Sequence, residues 1–368
     1  MSASTNQNIL GEINEDKEAE YYLTISSGGY ASVLGGMGAL LGCRVSGLSR
    51  FRMIGGVSGG SIITSLAASG LDTRQLLRLG MGLTFGKMIS FWSDVCKFFD
   101  PSNSPKIRLD HGGAQHWRCT GLYGTEPLAH ALHNSFTADG SKACTWPAHF
   151  WTMATTKEGA PVVIKADGVY LVWLDGRIQK LAERPPDMET AVQMSCTIPG
   201  LIAAFRYRGR FLFDGALSRY GICPVGMQIR HFGTDPRKII ACHIGDDSKS
   251  PLLGRMHSLC RRSWGVDPRR NWGEETVGVV EFRPNIEHVY TMKANLSRDE
   301  KWLAILIGFE SCVARLALEG ILHGARLQVV QDLLRDLGYW QNAIPAELGA
   351  PQPIADRTEA CLREYGFF

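Results

Sequence analysis

The sequence has few of the features that mark membrane, nucleic-acid-binding or secreted proteins. No stretch of its 368 residues approaches the roughly 20 consecutive apolar residues that a membrane-spanning helix needs. The net charge of +3 is too small to indicate a nucleic-acid partner. Ten cysteines are scattered singly with no CxxC spacing. This pattern argues against a zinc cluster or a disulfide framework and favours free thiols in a reducing compartment.

Residues 1–20 are polar and acidic, and they lack the basic and apolar zones of a secretory signal peptide. We therefore expect a flexible acidic tail there and a cytoplasmic protein. His130 and His133 have one-face helical spacing, but no third ligand accompanies them, so we expect neither a metal nor another cofactor. A hydrophobic content of 45% is typical of a globular chain.

Two units of strand, glycine-rich turn and helix follow the tail. Residues 21–25 predict a buried strand, which SSGGYAS and a glycine-tolerant helix follow. Residues 51–57 predict a second strand, and residues 61–68 predict a helix that Gly70 ends. Later strand candidates lie at 150–155, 162–164, 169–173, 211–213 and 238–243. The alternation predicts an α/β fold with a mostly parallel sheet and helices on its faces.

The final quarter of the chain has a helical pattern. Ser297 and Glu300 have the spacing of a capping box at a helix start. The apolar residues beyond them recur at helical spacing, namely Trp302, Leu306, Phe309, Val313 and Leu316. Residues 325–337 predict a further helix. We expect the part from 297 to 368 to be a helical layer packed on the sheet.

The segment GGVSGG, residues 55–60, surrounds Ser58 with glycine directly after an apolar run. A nucleophilic serine must expose its hydroxyl at a strand end while a helix begins immediately behind it, so residues two positions away must be small. Gly56 and Gly60 occupy those positions and complete GxSxG, the nucleophile elbow. The turn also aims the N–H of Gly59 at the place where an oxyanion forms. A glycine-rich helix start that has no catalytic role matches the same sequence pattern.

Two further segments complete a candidate catalytic site. Gly28, Gly29 and Tyr30, in the turn after the first strand, offer backbone N–H donors for an oxyanion hole. Asp214 ends the apolar strand of FLFDGA, and Gly215 permits the turn beyond it. Each segment alone also fits an ordinary turn or cap. Together with the elbow they favour a serine and aspartate pair over a metal or phosphate site.

These blocks, in this order, resemble those of the patatin-like acyl hydrolases, whose relatives include the cytosolic phospholipases A2. The family's GGGxRG oxyanion loop, GxSxG elbow and DGG or DGA acid correspond to residues 27–32, 56–60 and 214–216. The stretch SCTIPGLIAAFRYRGRFLFDGA, residues 195–216, also resembles the family's segment leading to the acid. The whole resemblance spans roughly residues 21–245.

The resemblance implies a patatin-like three-layer fold, with a hydrolase domain over residues 21–296 and a C-terminal helical extension over 297–368. It further implies that phospholipid or lysophospholipid esters are cleaved at a membrane surface through a Ser58 and Asp214 dyad and an acyl-enzyme intermediate. A homo-oligomer is possible. Ala31 stands where the family's loop has arginine, so head-group preference or activity itself is open.

Three alternatives to this reading remain open. In the first, the chain is a lipid-binding relative without catalytic activity. In the second, it is a signal-gated effector of the same chemistry that degrades membranes, as some bacterial members of the family do. A Ser–His–Asp triad is the competing catalytic plan, with His243 as the histidine. Residues 83–99 predict an amphipathic helix that serves as core, acyl pocket, lid or membrane contact, and the irregular segment 100–120 after it also suits a lid. The arginine-rich residues 255–272 face either anionic lipid or solvent.

Overall fold

The computed structural model describes most of the chain outside its amino-terminal tail. The described residues are 20–91, 114–116, 121–137, 146–173, 175–244, 276–286, 288–289, 295–338 and 354–367. The predicted tail up to residue 19, nearly all of 100–120 and the arginine-rich stretch over 255–272 lie outside them. Among the described helices, none combines the length and the apolar character needed to cross a membrane.

Helices and strands alternate along the described residues. The helices are α1 (Gly29–Val45), α2 (Gly59–Ala68), α3 (Thr73–Gly82), α4 (Phe85–Met88), α5 (Glu126–Phe136), α6 (Met188–Ser195), α7 (Val225–Phe232), α8 (Arg298–Leu318), α9 (Gly324–Leu337) and α10 (Ile354–Glu364). The strands are β1 (Tyr22–Ile25), β2 (Met53–Gly56), β3 (Ser90–Phe91), β4 (Ala114–His116), β5 (Gly121–Gly124), β6 (Phe150–Thr156), β7 (Pro161–Lys165), β8 (Gly168–Val172), β9 (Ile178–Ala182), β10 (Gly200–Ile202), β11 (Phe205–Tyr207), β12 (Arg210–Asp214), β13 (Ile239–Cys242) and β14 (Val280–Phe282).

The main sheet places β2 between β1 and β6. Its order is β14-β13-β1-β2-β6-β12-β11-β4, with β7, β8 and β9 extending from β6, and a smaller sheet has the order β10-β5-β3. Strands β14, β13, β1, β2 and β6 run parallel, whereas β12 returns antiparallel to β6. Helices flank this sheet, and further helices follow it toward the C-terminus. The predicted α/β fold with a mostly parallel central sheet is therefore confirmed.

Helix α1 packs against helix α8 through a row of glycines, Gly35, Gly38 and Gly42, called here the glycine face of α1. A Cβ atom on Gly38 would lie 1.9 Å from the carbonyl oxygen of Ile305. A Cβ atom on Gly308 of α8 would lie 2.2 Å from the carbonyl oxygen of Gly35. The two backbones therefore approach more closely than side chains permit. Helix α8 lies chiefly against α1 and also contacts β14 at the edge of the sheet.

Helix α8 begins at the predicted capping box and carries a buried lysine in its first turn. The Ser297 hydroxyl accepts from the Glu300 amide at 3.1 Å, and the Glu300 carboxylate accepts from the Ser297 amide at 2.8 Å. Lys301 is only 4% exposed, and its Nζ donates to the carbonyl oxygens of Met81 at 2.6 Å and Leu83 at 2.7 Å. The ammonium group satisfies carbonyls that the end of α3 leaves without helical partners, which offsets the cost of its burial.

Among the described residues, the predicted helix over 83–99 holds only for Phe85–Met88. Helix α4 ends at Met88, and Ile89 is extended, with φ −124° and ψ 148°. Ser90 and Phe91 then form β3, which pairs antiparallel with β5. Pairing with a strand distant in sequence overrides the helical spacing of the apolar residues, and residues 92–99 lie outside the described residues.

Gly38→Ala should lower the free energy of unfolding by about 2 kcal/mol or more, because the added methyl group collides with the backbone of α8. Gly82→Ala is the matched control, because a Cβ atom at Gly82 meets nothing within 4 Å. It should change stability by less than about 1 kcal/mol. Urea unfolding of both variants measures the difference. Equal stability of the two variants would contradict the close contact of α1 with α8.

Glu310 of α8 makes stability depend on pH. Burial raises the pKa of this carboxyl group to about 7. The folded protein then holds the proton more tightly than the unfolded chain, so stability falls as the pH rises from about 4 to about 7. Glu310→Gln should be more stable than the wild type at pH 8 by about 1 kcal/mol, since partial exposure reduces the effect. The gain should vanish near pH 4.

The control for this prediction is Glu319→Gln on the same helix. Glu319 pairs with Arg315 at 2.6 Å, so its charge is compensated. In urea unfolding at pH 4 and pH 8, this variant should be no more stable than the wild type at either pH. A similar gain for both variants would mean that the helix carries a general excess of negative charge rather than one buried carboxylate.

Candidate active site

Ser58 occupies the turn between β2 and α2. Its backbone has φ 53° and ψ −125°, a strained region for a residue with a side chain. The Gly60 amide donates to the Val57 carbonyl at 2.9 Å, and the Ser61 amide donates to the Ser58 carbonyl at 2.8 Å. These bonds close the turn, so helix α2 starts directly behind the serine.

The two outer glycines of the elbow lie against the end of β1. A Cβ atom on Gly56 would come within 2.6 Å of the Ile25 carbonyl oxygen, and one on Gly60 within 2.3 Å of the same atom. A Cβ atom essentially never approaches a neighbour to less than 3.0 Å. Glycine is therefore required at both positions for this turn to pack beside β1.

The two glycine-rich turns touch each other through their backbones. A Cβ atom on Gly59 would lie 2.0 Å from the carbonyl oxygen of Gly29. The structure places Gly28 at the N-cap of α1 and starts the helix at Gly29, which has φ 56°. Gly29 and Tyr30 thus belong to the first turn of a helix, where amide groups have no helical acceptors. The positive ends of α1 and α2 meet beside Ser58.

Beside Ser58, Tyr30 contributes only its backbone, because its side chain points toward the end of α3. The hydroxyl donates to the carbonyl oxygen of Leu83 at 2.5 Å and lies 3.3 Å from that of Gly80. Burial raises the pKa of Tyr30, so the phenol keeps its proton and remains a donor. The start of α1 is thereby tied to the end of α3, next to the carbonyl oxygens that Lys301 also binds.

Ser32 replaces the last glycine of the family's loop pattern. Its hydroxyl is fully buried, and within the described part of the chain it has no hydrogen-bond partner. It faces Gly28, where a Cβ atom would lie 2.4 Å from the Ser32 oxygen. The serine therefore fills the space beside Gly28, and the loop tolerates no side chain at position 28.

Asp214 lies at the end of β12 and is only 1% exposed. One carboxylate oxygen accepts from the amide of Ala216 at 2.9 Å, and the Asp214 amide donates to the Thr197 carbonyl at 2.7 Å. A Cβ atom on Gly215 would lie 2.1 Å from the carbonyl oxygen of Met153, so the turn after the acid packs directly on β6. These contacts fix the carboxylate in one position.

Strand β6 pairs both with β2, which leads to Ser58, and with β12, which ends at Asp214. Gly56 pairs with Thr152 of β6, and Asp214 pairs with Ala154 of the same strand. Ser58 is two residues beyond Gly56, as Ala154 is two residues beyond Thr152. The strand register thus places the end of β2, from which Ser58 follows, and Asp214 at nearby residues of β6.

The tripeptide 195–197, at the end of α6, connects the two residues. The Ser58 amide donates to the Ser195 hydroxyl at 2.9 Å, and that hydroxyl donates to the Met153 carbonyl at 2.7 Å. Thr197 accepts the Asp214 amide, as described above. In the sequence, this stretch is marked only by its family resemblance, and no pattern there gives Ser195, Cys196 or Thr197 a role. Small polar residues directly before the Ile198-Pro199 pair were the available signal.

Cys196, between these two residues, packs at the centre of the site. Its sulfur lies 3.9 Å from the Ser61 hydroxyl and also contacts the hydroxyl of Ser58. Burial and, secondly, the negative charge of Asp214 raise the pKa of the Cys196 thiol. The sulfur therefore stays protonated and acts as a small neutral neighbour of the two residues, not as a nucleophile.

Three histidines form hydrogen bonds with groups other than Ser58 and Asp214. The Nδ1 atom of His243 is 2.7 Å from a carboxylate oxygen of Glu281. The Nε2 atom of His231 is 2.6 Å from the hydroxyl oxygen of Tyr220. His133 on α5 lies 3.0 Å from Glu189. These contacts assign structural partners to the residues that a triad or a metal site would use.

A family model for patatin-like phospholipase matches residues 23–220. This range covers more than half of the chain, so the chain belongs to the patatin-like phospholipase family, whose general activity is lipid acyl hydrolysis. Among solved structures, the chain is similar to VipD from Legionella pneumophila, with 12% identity, a TM-score of 0.43, and coverage of 95% of this chain and 80% of that one. It is also similar to the type III effector protein ExoU, with 13% identity, a TM-score of 0.39, and coverage of 94% and 68%. No curated protein gives a significant match.

Ser195→Ala should lower kcat for ester hydrolysis by about 10- to 100-fold, because it leaves the Ser58 amide without its acceptor and loosens the strained turn. KM should change by less than about twofold, since the variant removes no atom that faces solvent. Ser195→Thr keeps the hydroxyl and should restore most of the rate. Steady-state kinetics on a chromogenic ester measures these values.

The matched control is Ser65→Ala. Ser65 is also fully buried, but its hydroxyl donates to the Ile62 carbonyl within α2 at 2.8 Å. Its kcat should stay within about threefold of the wild type. If Ser195→Ala and Ser65→Ala lose equal activity, Ser195 has no special part in positioning Ser58.

Proposed function

We propose that the protein is a serine-dependent carboxylic ester hydrolase of the phospholipase A or lysophospholipase type, with Ser58 as nucleophile and Asp214 as general base. The observation that carries the proposal is the strained backbone of Ser58 at the point where α1 and α2 both begin. The buried carboxylate of Asp214 at the end of β12, which pairs with β6 as β2 does, supports it. The enzyme acts on lipid at a membrane surface as a cytoplasmic, peripheral protein.

The first half of the reaction forms the acyl-enzyme. Asp214 accepts the hydroxyl proton of Ser58 while the serine oxygen attacks the carbonyl carbon of the ester. The carbonyl oxygen becomes the oxyanion of a tetrahedral intermediate. When the intermediate collapses, the bond to the leaving alcohol breaks, and Asp214 returns the proton to the alcohol oxygen. The acyl chain then remains on Ser58.

The second half repeats these steps with water. Asp214 accepts a proton from a water molecule as the water oxygen attacks the acyl carbon. The second tetrahedral intermediate collapses, the bond to the Ser58 oxygen breaks, and the serine recovers its proton from Asp214. The fatty acid leaves, and both residues return to their starting states.

Backbone amides at the starts of two helices stabilise the oxyanion in both halves. The donors are those of Gly28, Gly29 and Tyr30 in the first turn region of α1 and that of Gly59 at the start of α2. Each well-placed donor of this kind contributes roughly 3 kcal/mol in other hydrolases. The helix ends add favourable potential at the same place. Because these donors belong to the backbone, the stabilisation does not depend on a side chain at position 31.

Ala31 has a consequence for substrate choice. It is 6% exposed in the first turn of α1, where the family pattern has arginine. Its amide remains available, but the guanidinium that a lipid phosphate would bind is absent from this position. We therefore propose that the enzyme selects its substrate by the ester and the acyl chain more than by the charge of the head group.

Ser58→Ala and Asp214→Asn should each lower hydrolysis of a phospholipid ester by at least about 1,000-fold, because each removes one half of the proton transfer. Both variants should keep the wild-type melting temperature within a few degrees. Asp167→Asn, at a surface turn, is the control and should retain full activity. Release of fatty acid from mixed vesicles, measured by mass spectrometry, gives the rates.

Fluorophosphonate labelling separates the enzyme from a lipid-binding relative. An activated Ser58 should react with the probe at one site, and peptide mapping should find the adduct on the elbow peptide. Asp214→Asn should label far more slowly, because the serine then lacks its base. Absence of labelling in the wild type, with vesicle binding intact, would favour the non-catalytic alternative.

A further inference from the structure

The start of α1, the end of α3 and the start of α8 meet at one carbonyl group, that of Leu83. The Tyr30 hydroxyl donates to its oxygen at 2.5 Å, and the Lys301 ammonium donates to the same oxygen at 2.7 Å. Lys301 also donates to the carbonyl oxygen of Met81 at 2.6 Å, and the Tyr30 hydroxyl lies 3.3 Å from that of Gly80. This set of contacts is called here the Leu83 junction.

The two side chains that bind the Leu83 carbonyl are almost excluded from water. Tyr30 is 1% exposed and Lys301 is 4% exposed, and the ammonium nitrogen lies 6.0 Å from the centre of the Tyr30 ring. The carbonyls belong to the C-terminal end of α3, where the last carbonyl groups lack helical donors and the helix dipole favours a cation. Removal of the ammonium group therefore takes away a donor that water does not easily replace.

The Leu83 junction lies at the catalytic end of α1. Tyr30 is the second residue of α1, and its amide and that of Gly29 are among the proposed oxyanion donors. The Gly29 carbonyl in turn lies against Gly59 of the elbow, where a Cβ atom would approach it to 2.0 Å. A shift at the junction therefore changes the position of these amides relative to Ser58. Stabilisation of an oxyanion depends steeply on such positions.

Position 31 lies on the side of α1 that faces α8. Ala31 precedes Gly35 by four residues and Gly38 by seven, which is the spacing of one helix face, and it is 6% exposed. The backbone of α8 approaches this face at Gly35 and Gly38. The family pattern has an arginine at position 31, whereas this chain has alanine there. A positive charge beside the start of α1 is instead supplied by Lys301 of α8.

We propose that Lys301 is a positioning residue for ester hydrolysis. Its ammonium group holds the end of α3 and, through the Leu83 carbonyl and Tyr30, keeps the amides at the start of α1 oriented toward the oxyanion. This role rests on the proposed function above, and it is exerted through Tyr30 rather than on the ester itself. Lys301 lies outside residues 23–220, the region that the family model matches, so this region needs α8 for its full activity.

Lys301→Met tests this role, because methionine keeps most of the aliphatic chain and removes the ammonium group. The kcat for a chromogenic ester should fall by at least about 10-fold, while KM changes by less than about twofold, since the loss concerns donors to the transition state. Lys301→Arg keeps the charge and the donors, and its kcat should stay within about threefold of the wild type.

A trifluoromethyl ketone with the acyl chain of the ester reads out the oxyanion directly. The Ser58 oxygen bonds to the ketone carbon, Asp214 takes the hydroxyl proton, and the ketone oxygen becomes an oxyanion. The affinity of Lys301→Met for this ketone should fall by about the same factor as its kcat, because the adduct resembles the transition state.

Trp302→Phe is the matched control, since it changes the next residue of α8. Trp302 is fully buried, and its indole nitrogen donates to the Glu359 carboxylate at 3.1 Å, away from Leu83. This variant should lose stability in thermal unfolding, yet its kcat and its affinity for the ketone should stay within about twofold of the wild type. All assays are run at a temperature at which every variant is folded.

Tyr30→Phe removes the second donor to the Leu83 carbonyl with a smaller change in the core. Its kcat should fall by about threefold or more, and the double variant with Lys301→Met should lose less than the product of the two single losses, because both act on one group. If Lys301→Met does not fold, Tyr30→Phe decides, and an unchanged kcat in this folded variant would overturn the role of the junction.

Equal kcat values for Lys301→Met and Trp302→Phe would also overturn it, as would a higher KM with an unchanged kcat. These failures are distinct from a failure of the proposed function. An active Ser58→Ala variant would remove the proposed function and this role together. An inactive Ser58→Ala variant beside a fully active Lys301→Met would remove only the role of Lys301.

Discussion

The backbones of Gly29 and Gly59 meet with no side chain between them, and the arrangement of the candidate site depends on that contact. A Cβ atom on Gly59 would overlap the Gly29 carbonyl oxygen at 2.0 Å. Because β1 and β2 are adjacent and parallel, the turns that follow them emerge at the same edge of the sheet. The contact then sets the starts of α1 and α2 side by side, and their unpaired amides converge beside Ser58.

Distant parts of the chain hold this arrangement in place. The glycine face of α1 accepts α8 at backbone distance, and Lys301 of α8 binds the carbonyl oxygens of Met81 and Leu83. Tyr30 binds Leu83 as well, so α1, α3 and α8 are joined at one point near the catalytic end. On the other side of Ser58, the residues after α6 connect the serine to Asp214 through hydrogen bonds. Helix α8 therefore belongs to the framework around the candidate site.

Local sequence patterns predicted the parts of the fold that local physics determines. The central strands, the capping box at Ser297 and the glycine turn around Ser58 depend on hydrophobic runs, caps and small residues within a few positions of each other. The short β3 escaped prediction because its pairing with β5 overrides the helical spacing of residues 83–99. Ser195 escaped because its role depends on a partner 137 residues away, which no local pattern reveals.

The contact of α1 with α8 also bears on how the protein is made. Chains leave the ribosome amino terminus first, so α1 emerges long before Ile305 and Gly308 are synthesised. Until α8 has been synthesised, the glycine face of α1 lacks the helix that it packs against in the folded protein. This part of the core therefore closes only after the whole family-matched region, residues 23–220, has been made.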